Sequence, residues 1–410
     1  MSMKIVSHRY NSICEPDYLE AFRALGLEVV ENTEEIGHPN LPMERRIETV
    51  TRMILEERPL FVFSINFFPF ISMICEKLGV LYVAESVDCP VPEIYNTQIR
   101  NAHNRVFLFD SAQYESIASE NPAGIFHLPL GAAAGRITAH LNATGHGEDG
   151  AFGPEDQRYD SDVSFVGSLY NEKDHYLEIR DKLPERAKGF LDALIRAQVP
   201  LPGLALIREV LGDDGICGSE NVAEAVRGAD PEFYDSSLCV RNLDGFWISG
   251  RYLGFHLTHL DRVRTLNLLA QVADVDFYTR SDTKELSGVH CHGGVSSLDQ
   301  MPVVFRRSRI NLNLTMRPIE TGLPQRIWDV LGAGGFLLTD ARADLPENLV
   351  PGVHLETFGD EAELIEKVRY YLAHPAERET IARAGYEEVC RAGTVLHRVM
   401  EMVKIVASPE

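Results

Sequence analysis

The chain has 410 residues, 45% of them hydrophobic, which is comfortable for two domains with cores of their own. Its 61 acidic side chains outnumber 39 basic ones, for a formal charge of −22. That balance argues against a broad nucleic-acid or anionic-membrane surface, since both need a basic footprint, but it leaves room for a small local phosphate site.

The first half alternates strand and helix. MSMKIVSHRYN runs straight into a strand with no leader pattern. KIVSH is a strand, residues 16–26 form a helix stopped by glycine, and LEVVE is the next strand. Residues 41–57 read as helix, FVFSI as strand and 71–78 as helix. The apolar run 60–75 is broken by Ser64, Asn66, Pro69 and Ser72 and is too short for a membrane span. VLYVAES, RVFLFD and IFHLPLG are further strands. Such alternation predicts a parallel sheet wrapped by helices, with ligands at the carboxyl ends of its strands. His8, Asn11 and Asp88 fall at such ends. Each reads either as a loop-structural residue or as a contact on the acceptor side.

Residues 138–161 are polar and turn-rich, and they read as the interdomain linker. The expected domains are therefore 1–155 and 156–390, with residues 391–410 as a helix crossing back to the first domain. The second α/β unit opens at Asp162 with DVSFVGSLYNEK, resumes at DVDFYT near Asp274, and continues through VHCHGG and INLNL. Between them, about 174–272, LDALIRAQ and VRTLNLLAQV repeat apolar residues at helical spacing. This stretch reads as a helical insertion.

The stretch 311–340, NLNLTMRPIETGLPQRIWDVLGAGGFLLTD, is the most informative. NLNLT is a strand, MRPIETGLP a turn-rich loop, and Pro324 suits the first turn of a helix. The helix from Gln325 ends at Gly334-Gly335, and FLLT is the next strand. A loop ending at a helix N-terminus presents free N–H groups and the positive end of a dipole. Here it carries Glu320 and Gly322, with Arg326 and Asp329 on the first turns. An anionic, hydroxyl-rich ligand matches these groups. Bland readings stand beside this one. Glu320 is also an acid favoured by the helix dipole, Asp329 also a partner for Arg326 or Gln325 on one helix face.

The segment resembles the donor-binding loop of GT-B glycosyltransferases, E-G-x-G-L-P-x-x-E-A-x-A-x-G, at Glu320, Gly322, Leu323, Pro324, Asp329 and Gly332-Ala333-Gly334. It is more closely similar to the spore maturation protein CgeB-like glycosyltransferases, with Ala343-Asp344-Leu345 following. The likeness is dense from about 308 to 389. This chain departs in having eight residues between its two acids, one more than the broad family, and Asp329 where that family has Glu. A second matching stretch is Gly167-Ser168-Leu169 with Lys173, where Ser168 replaces the arginine of the G-R-L pattern.

What the resemblance implies is an α/β GT-B fold: two Rossmann-like domains facing a cleft, acceptor in the first and nucleotide-diphosphate sugar in the second. Glu320 would stabilise the reacting sugar, with Asp88 as the acceptor-side candidate. Gly167, Lys173, Gly322, Leu323, Arg326 and Asp329 would hold the donor, Lys173 at the diphosphate and Asp329 at the ribose. His292 and Gly293, in HGGV, resemble the glycine loop that meets the base. Retention of configuration follows from the same likeness, as does the expectation of no cofactor beyond the donor. The acceptor is open: glycan, protein or small molecule.

No metal is expected. His290 and His292 share one strand face, Cys291 takes the other, and nothing nearby completes a usual ligand set. There is no GxSxG elbow, Walker loop or GxGxxG fingerprint. Seven scattered cysteines without CxxC suggest free thiols in a reducing cytoplasm. Two other classes stay open: an epimerase or phosphorylase on the same fold, and a non-catalytic spore or envelope assembly protein with a degenerate site.

Overall fold

The computed structural model describes residues 3–147, 159–212 and 219–407. The chain divides into two compact units. One comprises Met1–Arg136, Thr321–Trp328 and Val389–Glu410, the other Ile137–Glu320 and Asp329–Glu388.

In the first unit, strands β1 (Lys4–His8), β2 (Glu28–Asn32), β3 (Phe61–Ile65), β4 (Leu81–Ser86), β5 (Asn104–Leu108) and β6 (Ile125–His127) form one sheet. Its order is β2-β1-β3-β4-β5-β6, and every pairing is parallel. β3 and β5 are buried along their whole length, as central strands covered on both faces must be. Helix Glu15–Ala24 places Tyr18, Leu19 and Phe22 on one face, and the Phe22 ring meets Phe63 edge-on at 4.8 Å. Gly26, at φ +83°, ends that turn in a conformation costly for other residues. The terminal helix Val395–Ala407 adds Val399 and Met402 to the same core.

The second unit repeats the plan. Strands β7 (Ser161–Val166), β8 (Val275–Tyr278), β9 (His290–His292), β10 (Ser308–Asn313), β11 (Leu337–Asp340) and β12 (Glu356–Phe358) lie in the order β12-β11-β10-β7-β8-β9, all parallel. Two Rossmann-like domains result, as the strand–helix alternation predicts. Between β7 and β8 the described residues form a series of helices, from His175–Arg180 to Phe255–Leu269, the latter continuous with a π-helical stretch, Ile248–Gly254. These helices pack round Leu191, Ile195, Ile207, Val226 and Leu253, a core separate from the sheet's own.

The segment 138–161 begins inside a helix, Ala134–Ala143, whose Ile137 and Leu141 are buried one turn apart. Residues 148–158, and with them the expected 155/156 boundary, lie outside the described residues, as do the last three residues of the chain. Among the described residues no helix is long and apolar enough to cross a membrane.

Candidate functional site

At the carboxyl end of β7 the Gly167 amide donates to the Tyr278 carbonyl at 3.0 Å. The Ser168 hydroxyl accepts from the Tyr170 amide at 2.6 Å and bonds the Glu172 carboxylate. Tyr170 turns into the left-handed region, φ 66°, which sends the chain into the short 3-10 turn Asn171–Lys173. Leu169 anchors this loop in the sheet's core. Lys173 is exposed, its ammonium 5.8 Å from the Tyr170 ring. Among the described residues no carboxylate lies within ion-pairing distance of it. Arg262, from helix Phe255–Leu269, reaches the same loop from beneath. It donates to the Ser168 carbonyl at 2.6 Å and the Leu314 carbonyl at 2.5 Å, with its guanidinium 4.9 Å from the Tyr170 ring. Burial pushes its pKa down. Two cations thus flank Tyr170 where β7 and β10 end.

Further along the same edge, His292 closes β9. Its Nε2 pairs with Asp276 at 2.6 Å and its ring stacks on Tyr278 at 4.6 Å. A Cβ on the following Gly293 would meet open space.

The loop after β10 is pinned by Asp340, which accepts from the Thr315 amide at 2.9 Å and the Thr315 hydroxyl at 2.8 Å. The Glu320 carboxylate is ion-paired to Arg208 of helix Ala205–Leu211, and the two side chains keep 30% and 25% of their surface in solvent. Glu320 and Asp329 belong to the second unit, while Gly322, Leu323 and Arg326 belong to the first. Leu323 is buried and Arg326 partly so. Asp329, also partly buried, lies on helix Gln325–Gly332. Gly322 is held rather than loose. A Cβ there would stand 2.8 Å from the Phe109 ring and 3.0 Å from the Asp110 Cα, so glycine is required by close approach. Asp110, buried at the end of β5, accepts from both the Thr321 and Gly322 amides at 2.9 Å.

In the first unit, Asp88 is exposed and accepts from Asn66 Nδ2 at 2.7 Å. Asn66 itself sits at φ 59° and its Oδ1 accepts from the Val87 amide. His8 is buried, contacting Asn32 at 3.2 Å and Glu35 at 3.2 Å. Burial pushes the Glu35 carboxyl up, but the neighbouring His8 and the Arg46 guanidinium at 3.4 Å outweigh it and leave its pKa lowered. Asn11 takes a left-handed turn at φ 73°.

Sequence reasoning did not reach Asp110, Arg208 or Arg262. Asp110 has a signal, an aspartate before the helix start SAQ, which is an N-cap pattern. Arg208 and Arg262 have none, because each is an arginine on a helix with no motif around it. A cavity of about 300 Å³ lies at the opposite, amino edge of the second sheet, beside Arg306, Arg307 and Gly334. Arg307 there pairs with Asp160, and Arg306 donates to the Gly334 carbonyl. It has no part in the site at the carboxyl ends.

Residues 262–404 match a family model described as Glycosyl transferase-like. One curated relative, an uncharacterized protein of Aquifex aeolicus, is 32% identical over 107 residues, 25% of this chain. The match spans only 27% of that relative's length. The fold is similar to a UDP-forming alpha,alpha-trehalose-phosphate synthase from Burkholderia xenovorans, with TM-score 0.52 and 10% identity over 99% of both chains. A glycosyltransferase from Rickettsia africae gives TM-score 0.50 at 11% identity over 99% of this chain and 98% of that one. T4 phage BGT in complex with its UDP-glucose substrate gives 0.50 at 10% identity over 99% and 100%. The fold class is GT-B.

Proposed function

We propose that this chain is a glycosyltransferase that moves a sugar from a nucleotide-diphosphate sugar to an acceptor. The observation that carries the reading is Lys173, exposed and without an ion-pair partner among the described residues, just past the carboxyl end of β7; the chain separately carries a glycine-bearing loop that runs into helix Gln325–Gly332. A diphosphate is the ligand that such a lysine and such a helix start recognise. The match over residues 262–404, which takes in this loop and helix, points the same way. UDP is the first nucleotide to test, since two of the similar structures are named for UDP-forming or UDP-glucose chemistry.

In this reading Lys173 stabilises the departing diphosphate and Arg262 adds positive field from beneath. Asp329 accepts from ribose hydroxyls, and Arg326 supports the phosphates at the helix start. His292 and Gly293 border the base. Glu320 stabilises positive charge on the sugar ring as the donor bond breaks, and Asp88 contacts the acceptor. Retention, with a leaving phosphate oxygen taking the acceptor proton, belongs to the same proposal, as do independence from metal and added cofactor, the CgeB-like kinship and a cytoplasmic setting. The test is incubation with UDP-, GDP- and dTDP-linked sugars, read as slow release of the nucleoside diphosphate. No release from any donor would sink the reading.

Ser168 in place of the pattern's arginine, and the Glu320–Arg208 pair, favour one second reading: a nucleotide-binding protein without turnover. It is distinguished by UDP binding with no donor cleavage.

A further inference from the structure

We propose that Asp110 is a positioning residue for the loop that follows Glu320, holding it in the geometry that donor cleavage needs. The inference rests on the glycosyltransferase reading. Asp110 is 1% exposed. Its Oδ1 accepts from the Gln113 amide at 2.8 Å, capping helix Ser111–Ile117. Its Oδ2 accepts from the Thr321 and Gly322 amides, both at 2.9 Å. Thr321 returns the contact. Its Oγ1 accepts from the Ala112 amide at 3.0 Å and lies 3.0 Å from the Ser111 hydroxyl. The first free amides of the helix and the two amides of the loop therefore satisfy one another through one carboxylate and one hydroxyl. Four residues on, Gln325 Nε2 donates to the Gly131 carbonyl at 3.0 Å, a second tether for the same segment.

A loop amide held by a buried carboxylate makes a charge-assisted hydrogen bond, stronger and more directional than a neutral one. Two such bonds to adjacent amides hold two successive peptide planes, Glu320–Thr321 and Thr321–Gly322. The first of these planes contains the Glu320 carbonyl, so the direction in which the Glu320 backbone leaves is set there. Asp110 has no place to touch a donor, because its carboxylate is enclosed by these amides. Its effect on the reaction runs through the loop.

Asp110→Ser separates this role from folding, since serine is a good helix N-cap but cannot also reach two loop amides. Thr321→Val removes the return contact at nearly constant shape. Turnover of UDP-glucose, GDP-mannose and dTDP-glucose is measured for wild type and variants, with UDP affinity and amide hydrogen exchange at Thr321 and Gly322. The expected result is a fall in kcat of about 10- to 100-fold, in the range of a lost transition-state interaction. UDP affinity should stay within about threefold, and exchange at the two amides should accelerate. A merely structural residue would lower stability without splitting kcat from binding. If wild type cleaves a donor and Asp110→Ser keeps its kcat, the positioning role is overturned and the function stands. If wild type cleaves none of the three, the function reading fails and takes this inference with it. Should Asp110→Ser not fold, Thr321→Val decides by the same measurements.

Discussion

Arg317 grips Asp261 with two parallel contacts, Nε to Oδ2 at 2.6 Å and Nη2 to Oδ1 at 2.9 Å. The guanidinium also donates to the carbonyls of Gln198, Val199, Leu201 and Gly203. One buried side chain on the loop after β10 thereby closes the end of helix Glu185–Gln198 and the turn after it. Arg317→Ala would leave four carbonyls short of a donor, while Asp261, 29% exposed, would keep Arg264 at 3.6 Å. The expected loss is about 1.5–3 kcal/mol, the scale of a lost hydrogen bond to a charged group or of an unsatisfied buried carbonyl. Denaturant unfolding measures it, and a loss below about 1 kcal/mol would show the clamp to be dispensable.

Glu320→Gln keeps the shape of the side chain and removes its charge. Donor cleavage should slow by about a hundredfold or more, while UDP affinity stays nearly unchanged, because charge on the sugar ring develops only in the transition state. Arg208 complicates the comparison, since a neutral amide in place of the carboxylate would release it. The double variant with Arg208→Gln removes that complication. Near-wild-type cleavage by Glu320→Gln would reduce Glu320 to an acid of the helix start.

Lys173→Ala and Asp329→Ala address the donor rather than the reaction. Each should weaken UDP binding by about 1.5–3 kcal/mol, the scale of one hydrogen bond to a charged group. For Lys173→Ala the loss should shrink with rising salt and be smaller for uridine than for UDP. Titration calorimetry on both variants decides it. Affinities equal to wild type in both would remove the diphosphate from this edge of the sheet.

Glu85 gives a pH dependence with a definite sign. Its carboxyl is fully enclosed on β4, and burial raises its pKa well above the ordinary range, against the opposing influence of Arg398 and the Tyr18 hydroxyl. In the unfolded chain it titrates near about 4.3. A raised folded pKa means that its stabilising contribution is full below the unfolded value. The contribution is lost as pH rises toward the folded pKa. Glu85→Gln removes the proton from consideration. The variant's melting temperature should gain on wild type between about pH 5 and about pH 8. Parallel melting curves across that span would mean the carboxyl titrates normally when folded.

The sequence by itself determined the strands, the loop and the helix near the site. Runs such as FVFSI and RVFL are apolar almost without interruption, which only a strand covered on both faces tolerates, and Gly334, at φ +69°, stops helix Gln325–Gly332 where its sequence says it must. The loop bearing Glu320 and Gly322 and the turn bearing Lys173 are each legible from local turn chemistry, as two separate stretches. Tertiary structure alone decided what those residues touch. Thr321 meets Asp110 from 211 positions away, and Arg262 reaches the carbonyl of Ser168 from 94. Arg208 meets Glu320 only because the helices between β7 and β8 fold back on the loop. Periodicity tells which face of an element is buried, but it does not say which distant carboxylate or carbonyl that face will meet. That choice is made by packing, where a buried amide or guanidinium must find a partner or bear the cost of leaving water alone.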